Sequence, residues 1–168
     1  HQIPVTPVML DPGQDFTLEP DRLAPLLGAH KMVILGNPSN PTGQLTATDD
    51  LCALIRSYPT TTFVIDEAFL PFVSDATSLA GAAENIITLN SLTKFYAIPG
   101  LRLGFGSVPA SFQRSVRDLM PSWSVNSLAE AVGVACLADR DYAEQSRSRC
   151  TELREQLITE LSGCASLT

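Results

Sequence analysis

The sequence predicts an α/β fold, a three-layer sandwich in which a mostly parallel sheet carries helices on both faces. Apolar runs of strand length alternate with segments of helical periodicity, which is typical of this class. The runs are apolar at successive positions, as expected for parallel strands that are covered on both sides. With 168 residues, of which 45% are hydrophobic and 17% charged, the chain can bury the core of one domain.

The strands are predicted from short apolar runs, and the helices from apolar residues spaced three to four positions apart. The strands are expected over 31–36, 62–65, 86–89 and, from a weaker alternating pattern, 101–108. The helices are expected over 19–27, 46–58, 111–119, 127–137 and 139–161, the second with Thr46 as its N-cap. In the last helix, the apolar positions 150, 153, 157 and 161 form a stripe that we expect to pack against neighbouring polypeptide.

Composition argues against several classes of protein. The 18 acidic and 11 basic residues give a net charge of −7, so no basic face is available for nucleic acid. No apolar run approaches the length of about 20 residues that spans a membrane. With two histidines and four cysteines that lie far apart in sequence, neither a metal site nor a disulfide framework is expected. We therefore expect a soluble, cytoplasmic protein with reduced cysteines.

Polar side chains follow three of the predicted strands. They are Asn40 after the first strand, Asp66 after the second, and Ser91, Thr93 and Lys94 after the third. Ligands of open parallel sheets bind outside the carboxyl ends of the strands, where the loops converge. We therefore expect these side chains to line one crevice.

Arg102 joins the same edge if the fourth strand runs antiparallel to the others. Each of these residues alone also has a structural reading: Asn-Pro-Thr-Gly is turn chemistry, Asp66 could cap a helix, and a lone lysine or arginine usually lies at the surface. Together they predict a site for an anionic ligand that also needs a nucleophilic amine.

The motifs that carry this pattern are Asn37-Pro-Ser-Asn40-Pro-Thr-Gly43, Val64-Ile-Asp66-Glu67-Ala-Phe69 and the stretch 91–104 around Lys94. In these motifs the sequence resembles the class I/II, fold-type I aminotransferases, which use pyridoxal 5′-phosphate (PLP). Within that family, 91–104 and 120–129 look most like threonine-phosphate decarboxylase of cobalamin biosynthesis, and next like histidinol-phosphate aminotransferase.

The resemblance implies catalytic roles for two residues. Lys94 would form the Schiff base with the cofactor aldehyde and then move the proton, and Asp66 would pair with the pyridine nitrogen. Asn40 would donate a hydrogen bond to the phenolic oxygen of the ring. Many members of the family have a tyrosine where this chain has Phe69, which lacks the second donor to that oxygen.

The resemblance also implies a phosphate-binding group and a larger protein. Arg102 would hold the cofactor phosphate, with Ser91 and Thr93 as additional donors. Residues 1–138 would form the central part of the PLP-binding large domain, and 139–168 the long helix leading toward a C-terminal small domain. The chain would then be an internal piece of a homodimeric enzyme, inactive by itself, whose substrate is an amino acid or an amino-acid phosphate.

Two alternatives to decarboxylation remain open. One is transamination of histidinol phosphate or another amino acid. The other is a non-catalytic, PLP-binding effector domain of a transcription regulator. Neither alternative involves a nucleic-acid or membrane partner for this chain itself.

Overall fold

The computed structural model describes residues 3–164 and confirms the mostly parallel α/β fold. One sheet has the strand order β1-β2-β3-β4, with β1 Met32–Gly36, β2 Thr62–Asp66, β3 Ile86–Ser91 and β4 Gly104–Ser107. The first three strands are parallel to one another, and β4 is antiparallel to β3. The described residues exclude 1–2, at the start of the predicted large-domain part, and 165–168, at the end of the predicted segment 139–168.

The helices fall between and after the strands, close to the predicted ranges. They are α1 Pro20–Leu27, α2 Thr48–Ser57, the four-residue α3 Leu92–Phe95, α4 Ala110–Leu119, α5 Ser127–Ala138 and α6 Arg140–Leu161. The prediction of Thr46 as the cap of α2 is wrong, because the helix begins at Thr48 with Ala47 at the N-cap position and no side chain bonds its first turn as a cap. None of the helices within 3–164 combines the length and apolarity required to cross a bilayer.

The core lies between one face of the sheet and helices α1 and α2. Its most deeply buried side chains come from both layers, namely Leu23, Leu27, Leu51, Ile55, Phe63, Ile65 and Ile86. Alternation along β1 directs Met32 and Ile34 to the opposite face, where they are 51% and 71% exposed. The expected cover on both faces is therefore incomplete at β1 within the described part of the chain.

Helix α6 contacts the rest of the fold mainly through its N-terminal half. Its closest packing is against the 3₁₀ turn Leu70–Phe72. The stripe that includes Leu153, Leu157 and Leu161 remains 44–54% exposed. The expectation that this stripe packs on neighbouring polypeptide is thus not met within 3–164.

Gly104 allows β4 to approach β3 closely at the start of their pairing. A Cβ atom built on Gly104 would lie 2.6 Å from the backbone oxygen of Asn90. We expect Gly104→Ala to lower the free energy of unfolding by about 2 kcal/mol, since the clash is with backbone that cannot rotate away. Urea unfolding measures this, with Gly100→Ala as control because a Cβ at Gly100 meets no atom within 4 Å. Equal midpoints for the two variants would contradict the prediction.

Candidate active site

The strand pairing brings the candidate residues to one edge of the sheet. Asp66, the last residue of β2, pairs with Gly36 on one side and Leu89 on the other. Ser91, the last residue of β3, pairs with Gly104, the first residue of the antiparallel β4. The carboxyl ends of β1, β2 and β3 and the start of β4 therefore share this edge, and the segments that leave β1, β2 and β3 all begin there.

The loop after β1, which carries Asn40, is held in shape by Asn37. The Asn37 side chain is 4% exposed, donates to the carbonyl of Thr46 at 3.0 Å and accepts from its N–H at 2.8 Å. Within the loop, Ser39 and Gly43 form a further backbone hydrogen bond of 2.8 Å. These bonds close the loop into a compact turn and leave the Asn40 side chain exposed at the edge.

Asp66 is fixed by its backbone and by one side-chain oxygen. Its carbonyl accepts from the N–H of Asn37 at 2.9 Å, which ties the ends of β1 and β2 together. Its Oδ1 accepts from the N–H of Ala68 at 2.9 Å, which orients the carboxylate in a local turn. The side chain is exposed, so the carboxylate is accessible to a ligand at this edge.

Ser91, Thr93 and Lys94 form a contiguous polar group where β3 passes into α3. The two hydroxyl oxygens lie 2.7 Å apart, and Lys94 Nζ donates to Ser91 Oγ at 3.4 Å. Leu92 and Phe95 are buried, and so the short helix turns Lys94 outward. The amine is thus exposed beside the half-buried Ser91, whereas Thr93 is buried beneath them at 7% exposure.

The backbone at Arg102 comes near this group because β4 returns along β3. Leu92 donates its N–H to the carbonyl of Leu103 at 3.2 Å, which joins the two segments just outside the sheet. Arg102 adopts the left-handed conformation, with φ 54°, and its Nη1 donates to the carbonyl of Pro99 at 3.0 Å. The ion pairs found among residues 3–164 involve neither Arg102 nor Lys94, so both cations are available to an anion.

Glu67 is a feature of the site whose role was not predicted. Strand alternation turns it away from Asp66 toward the core, where it is 1% exposed. It accepts hydrogen bonds from Ser78 Oγ at 2.6 Å, from the N–H of Leu79 at 2.7 Å and from Asn90 Nδ2 at 3.4 Å. Glu67 therefore fastens the end of β2 to the 78–79 segment and to β3.

The residues at this edge fit PLP by the chemistry of their donor set. A guanidinium with two hydroxyls suits a phosphate, an accessible amine suits an aldehyde, and a carboxylate suits a protonated ring nitrogen. Asn40 lines a cleft of about 370 Å³ together with Phe69 and with Arg154 of α6, and the other candidate residues lie outside its lining. The roles of the individual residues remain predictions.

Comparisons with known proteins show the family of this chain. The profile of the family described as aminotransferase class I and II matches residues 1–167. The chain is 32% identical over 166 residues to the adenosylcobalamin biosynthesis bifunctional protein CobDQ of Leptospira interrogans, covering 96% of this chain and 19% of that one. It is 33% identical over 136 residues to a protein of Caldanaerobacter subterraneus provisionally named threonine-phosphate decarboxylase, covering 77% and 37%.

A solved structure gives the same result for the fold. The histidinol-phosphate aminotransferase of Clostridium acetobutylicum superimposes with a TM-score of 0.83 at 26% identity, covering 89% of this chain and 46% of that one. The chain thus spans less than half the length of each of these relatives. The cofactor of the family is PLP, as the resemblance implied. The match over nearly its whole length shows that this chain belongs to the class I and II aminotransferase family.

Proposed function

We propose that the chain is the cofactor-binding part of a cytoplasmic, PLP-dependent lyase that decarboxylates threonine phosphate for cobalamin biosynthesis. The observation that carries this proposal is the grouping of Lys94 Nζ with the hydroxyls of Ser91 and Thr93 at the sheet edge that also holds Asp66. The names of the relatives CobDQ and threonine-phosphate decarboxylase support the choice of reaction.

Four residues would hold the cofactor phosphate and ring. Arg102 binds the phosphate through its guanidinium, and Ser91 and Thr93 donate their hydroxyl hydrogens to it. The Asp66 carboxylate holds a proton on the ring nitrogen. When bound, PLP supplies an aldehyde and a ring that accepts the electrons released from a broken bond at Cα.

Lys94 would carry out the proton transfers. Its amine would bind the aldehyde of PLP, and once released and protonated it would supply the proton that replaces the lost carboxylate at substrate Cα. Lys94 Nζ lies 3.4 Å from Ser91 Oγ, so this hydroxyl accepts a hydrogen bond from the amine and restricts its position. Asn40 supplies the side-chain donor to the phenolic oxygen, since Phe69 has no hydroxyl.

The substrate would enter the cleft between the Asn40 loop and α6. Phe69 and Phe72 give this cleft an apolar wall, and Arg154 gives it a positive charge. A cation in a cleft with an apolar wall suits a small molecule with a phosphate or carboxylate. This supports an amino-acid phosphate as the substrate.

A second candidate is transamination of histidinol phosphate, which the structural likeness to histidinol-phosphate aminotransferase favours. Both reactions use the same cofactor-binding residues and differ in which bond at Cα is broken. In the experiment, PLP is added to the enzyme that contains this chain. Release of carbon dioxide from threonine phosphate is then compared with amino transfer from glutamate to imidazole-acetol phosphate. Carbon dioxide release supports the proposal, and amino transfer alone would replace it with the second candidate.

Residues 1–138 would form the centre of the large domain, and 139–168 the helix that leads toward a small domain. Exposed apolar side chains support further contacts, either with additional polypeptide or with a second copy in a homodimer. The most exposed of them are Trp123 at 96% and Leu119 at 85%. We propose that the chain alone binds PLP weakly and does not turn over substrate, since it provides only part of such a site.

A further inference from the structure

The helix that carries Lys94 is too short to hold itself in place. α3 consists of four residues, Leu92–Phe95, and a single helical turn has no stability of its own in water. The direction of the Lys94 side chain is therefore set by whatever packs against α3. The packing side of α3 is marked by Phe95, which is 4% exposed.

Aromatic rings from two other segments enclose Phe95. Phe72, in the 3₁₀ turn after β2, meets its edge at a centroid distance of 5.0 Å. Tyr142, in the first turn of α6, meets Phe95 edge-on at 6.4 Å and stacks on Tyr96 at 5.6 Å with an interplanar angle of 24°. Burial, assisted by nearby Cys136, raises the pKa of Tyr96 above its ordinary value.

The Tyr142 hydroxyl also bonds the backbone of α3. It donates to the carbonyl of Phe95 at 3.4 Å. The carbonyls of the other three residues of α3 accept backbone N–H groups from the segment that follows, those of Tyr96, Ala97 and Ile98. Tyr142 thus supplies the bond at the last carbonyl of the helix, one residue after Lys94.

Arg147, one and a half turns further along α6, supports the same contact. Its guanidinium carbon lies 5.7 Å from the centre of the Phe95 ring, and its Nη1 donates to the carbonyl of Pro71 at 3.3 Å. α6 is therefore attached both to the segment after β2 and to the segment after β3. Its N-terminal half bridges the turn that follows Asp66 and the short helix that contains Lys94.

We propose that Tyr142 is a positioning residue for Lys94: by holding α3 through the Phe95 carbonyl and the Tyr96 ring, it fixes where the Lys94 amine is presented. The inference rests on the proposed role of Lys94 in binding PLP. Tyr142 touches neither cofactor nor substrate in this account, and acts only through α3. Docking of α6 and the reactivity of the amine are consequently coupled.

The first test needs no cofactor. Hydrogen exchange of the Ala97 and Ile98 amides, which bond to α3 carbonyls, is measured by NMR in the unaltered chain and in Tyr142→Phe. Because Tyr142 is 37% exposed and the ring is kept, this variant retains the fold. We expect these amides to exchange about two- to tenfold faster, from the loss of one hydrogen bond.

The matched control is Tyr58→Phe, which removes a hydroxyl that donates to the carbonyl of Ala24 at the same distance of 3.4 Å, far from α3. It should leave the Ala97 and Ile98 amides unchanged. Unchanged exchange in Tyr142→Phe would overturn the proposal. Acceleration spread evenly over the whole chain would also overturn it, since that would indicate general destabilisation.

The second test follows the amine itself. The chain contains two lysines, Lys94 and Lys31, the latter at the opposite end of the sheet just before β1. After brief exposure to PLP and reduction with borohydride, peptide mass spectrometry gives the labelling rate of each lysine. We expect Tyr142→Phe to slow labelling of Lys94 severalfold while Lys31 and the Tyr58→Phe control stay unchanged.

Equal labelling of Lys94 in Tyr142→Phe and the unaltered chain would contradict the positioning role. If Lys94 is not labelled in the unaltered chain, the proposed function fails, and the exchange measurement alone then decides whether Tyr142 holds α3. The two failures are therefore distinguishable.

Discussion

Lys94→Ala is expected to abolish the visible absorbance of bound PLP and to lower turnover by about 10³-fold or more in the enzyme that contains this chain. The physical reason is that the variant removes the amine that bonds the cofactor and moves the proton. The fold should be retained, because Lys94 is exposed and its one side-chain bond is to Ser91 Oγ at 3.4 Å. Absorbance spectra and steady-state rates measure the two effects.

Lys31→Ala is the control, since Lys31 is the other lysine and lies at the opposite edge of the sheet. It should leave both the absorbance and the rate unchanged. Normal turnover in Lys94→Ala would assign the reactive amine to another residue. A loss of activity in both variants would point to a general effect of removing lysines.

Asp66→Asn is expected to weaken PLP binding by about 10- to 100-fold and also to slow turnover relative to the unaltered protein. The substitution removes one charge-assisted hydrogen bond to the ring nitrogen, worth about 1.5–3 kcal/mol. It keeps an oxygen able to accept from the N–H of Ala68, which Asp66 Oδ1 now does at 2.9 Å. The local turn is therefore retained, and the loss of PLP affinity measures the contribution of the negative charge of Asp66. Titration with PLP, followed by absorbance, gives the dissociation constant.

Asp49→Asn, in the exposed first turn of α2, is the matched control for the same change of side chain. Its PLP affinity should equal that of the unaltered protein. An Asp66→Asn variant with unchanged affinity and rate would show that the ring nitrogen is not held by this carboxylate.

The position of the candidate site could be predicted because it depends on strand ends. Short apolar runs followed by Asn40, Asp66 and Lys94 define three parallel strands, and parallel strands end at one edge. The antiparallel fourth strand, which brings Arg102 to that edge, was expected only conditionally. Chain direction at β4 depends on the turn at Pro99–Leu101 rather than on the periodicity of the strand.

Contacts between distant segments could not be predicted from the sequence. Glu67 is buried because Ser78, Leu79 and Asn90 supply its donors, and no local pattern reveals which segment will do so. Tyr142 likewise reaches Phe95 across 47 positions of the chain. Long-range packing of this kind is set by the tertiary fold and leaves no local signal beyond an aromatic residue in a helix.

For the apolar stripe of α6, the sequence predicted which residues share a face but not whether that face is buried. Helical spacing correctly predicted that Leu153, Leu157 and Leu161 share a face, and yet this face is exposed. Periodicity identifies which residues form the apolar face of a helix, but burial of that face depends on the polypeptide that packs against it.

The central claim is that Lys94, presented at the end of β3, is the amine that binds PLP. Borohydride reduction of the chain with millimolar PLP, followed by peptide mass spectrometry, tests this claim most directly, and an excess of PLP compensates for weak binding. We expect the added mass on Lys94 well ahead of Lys31 and the terminal amine. Equal labelling of all three amines, or preferential labelling of Lys31, would contradict it.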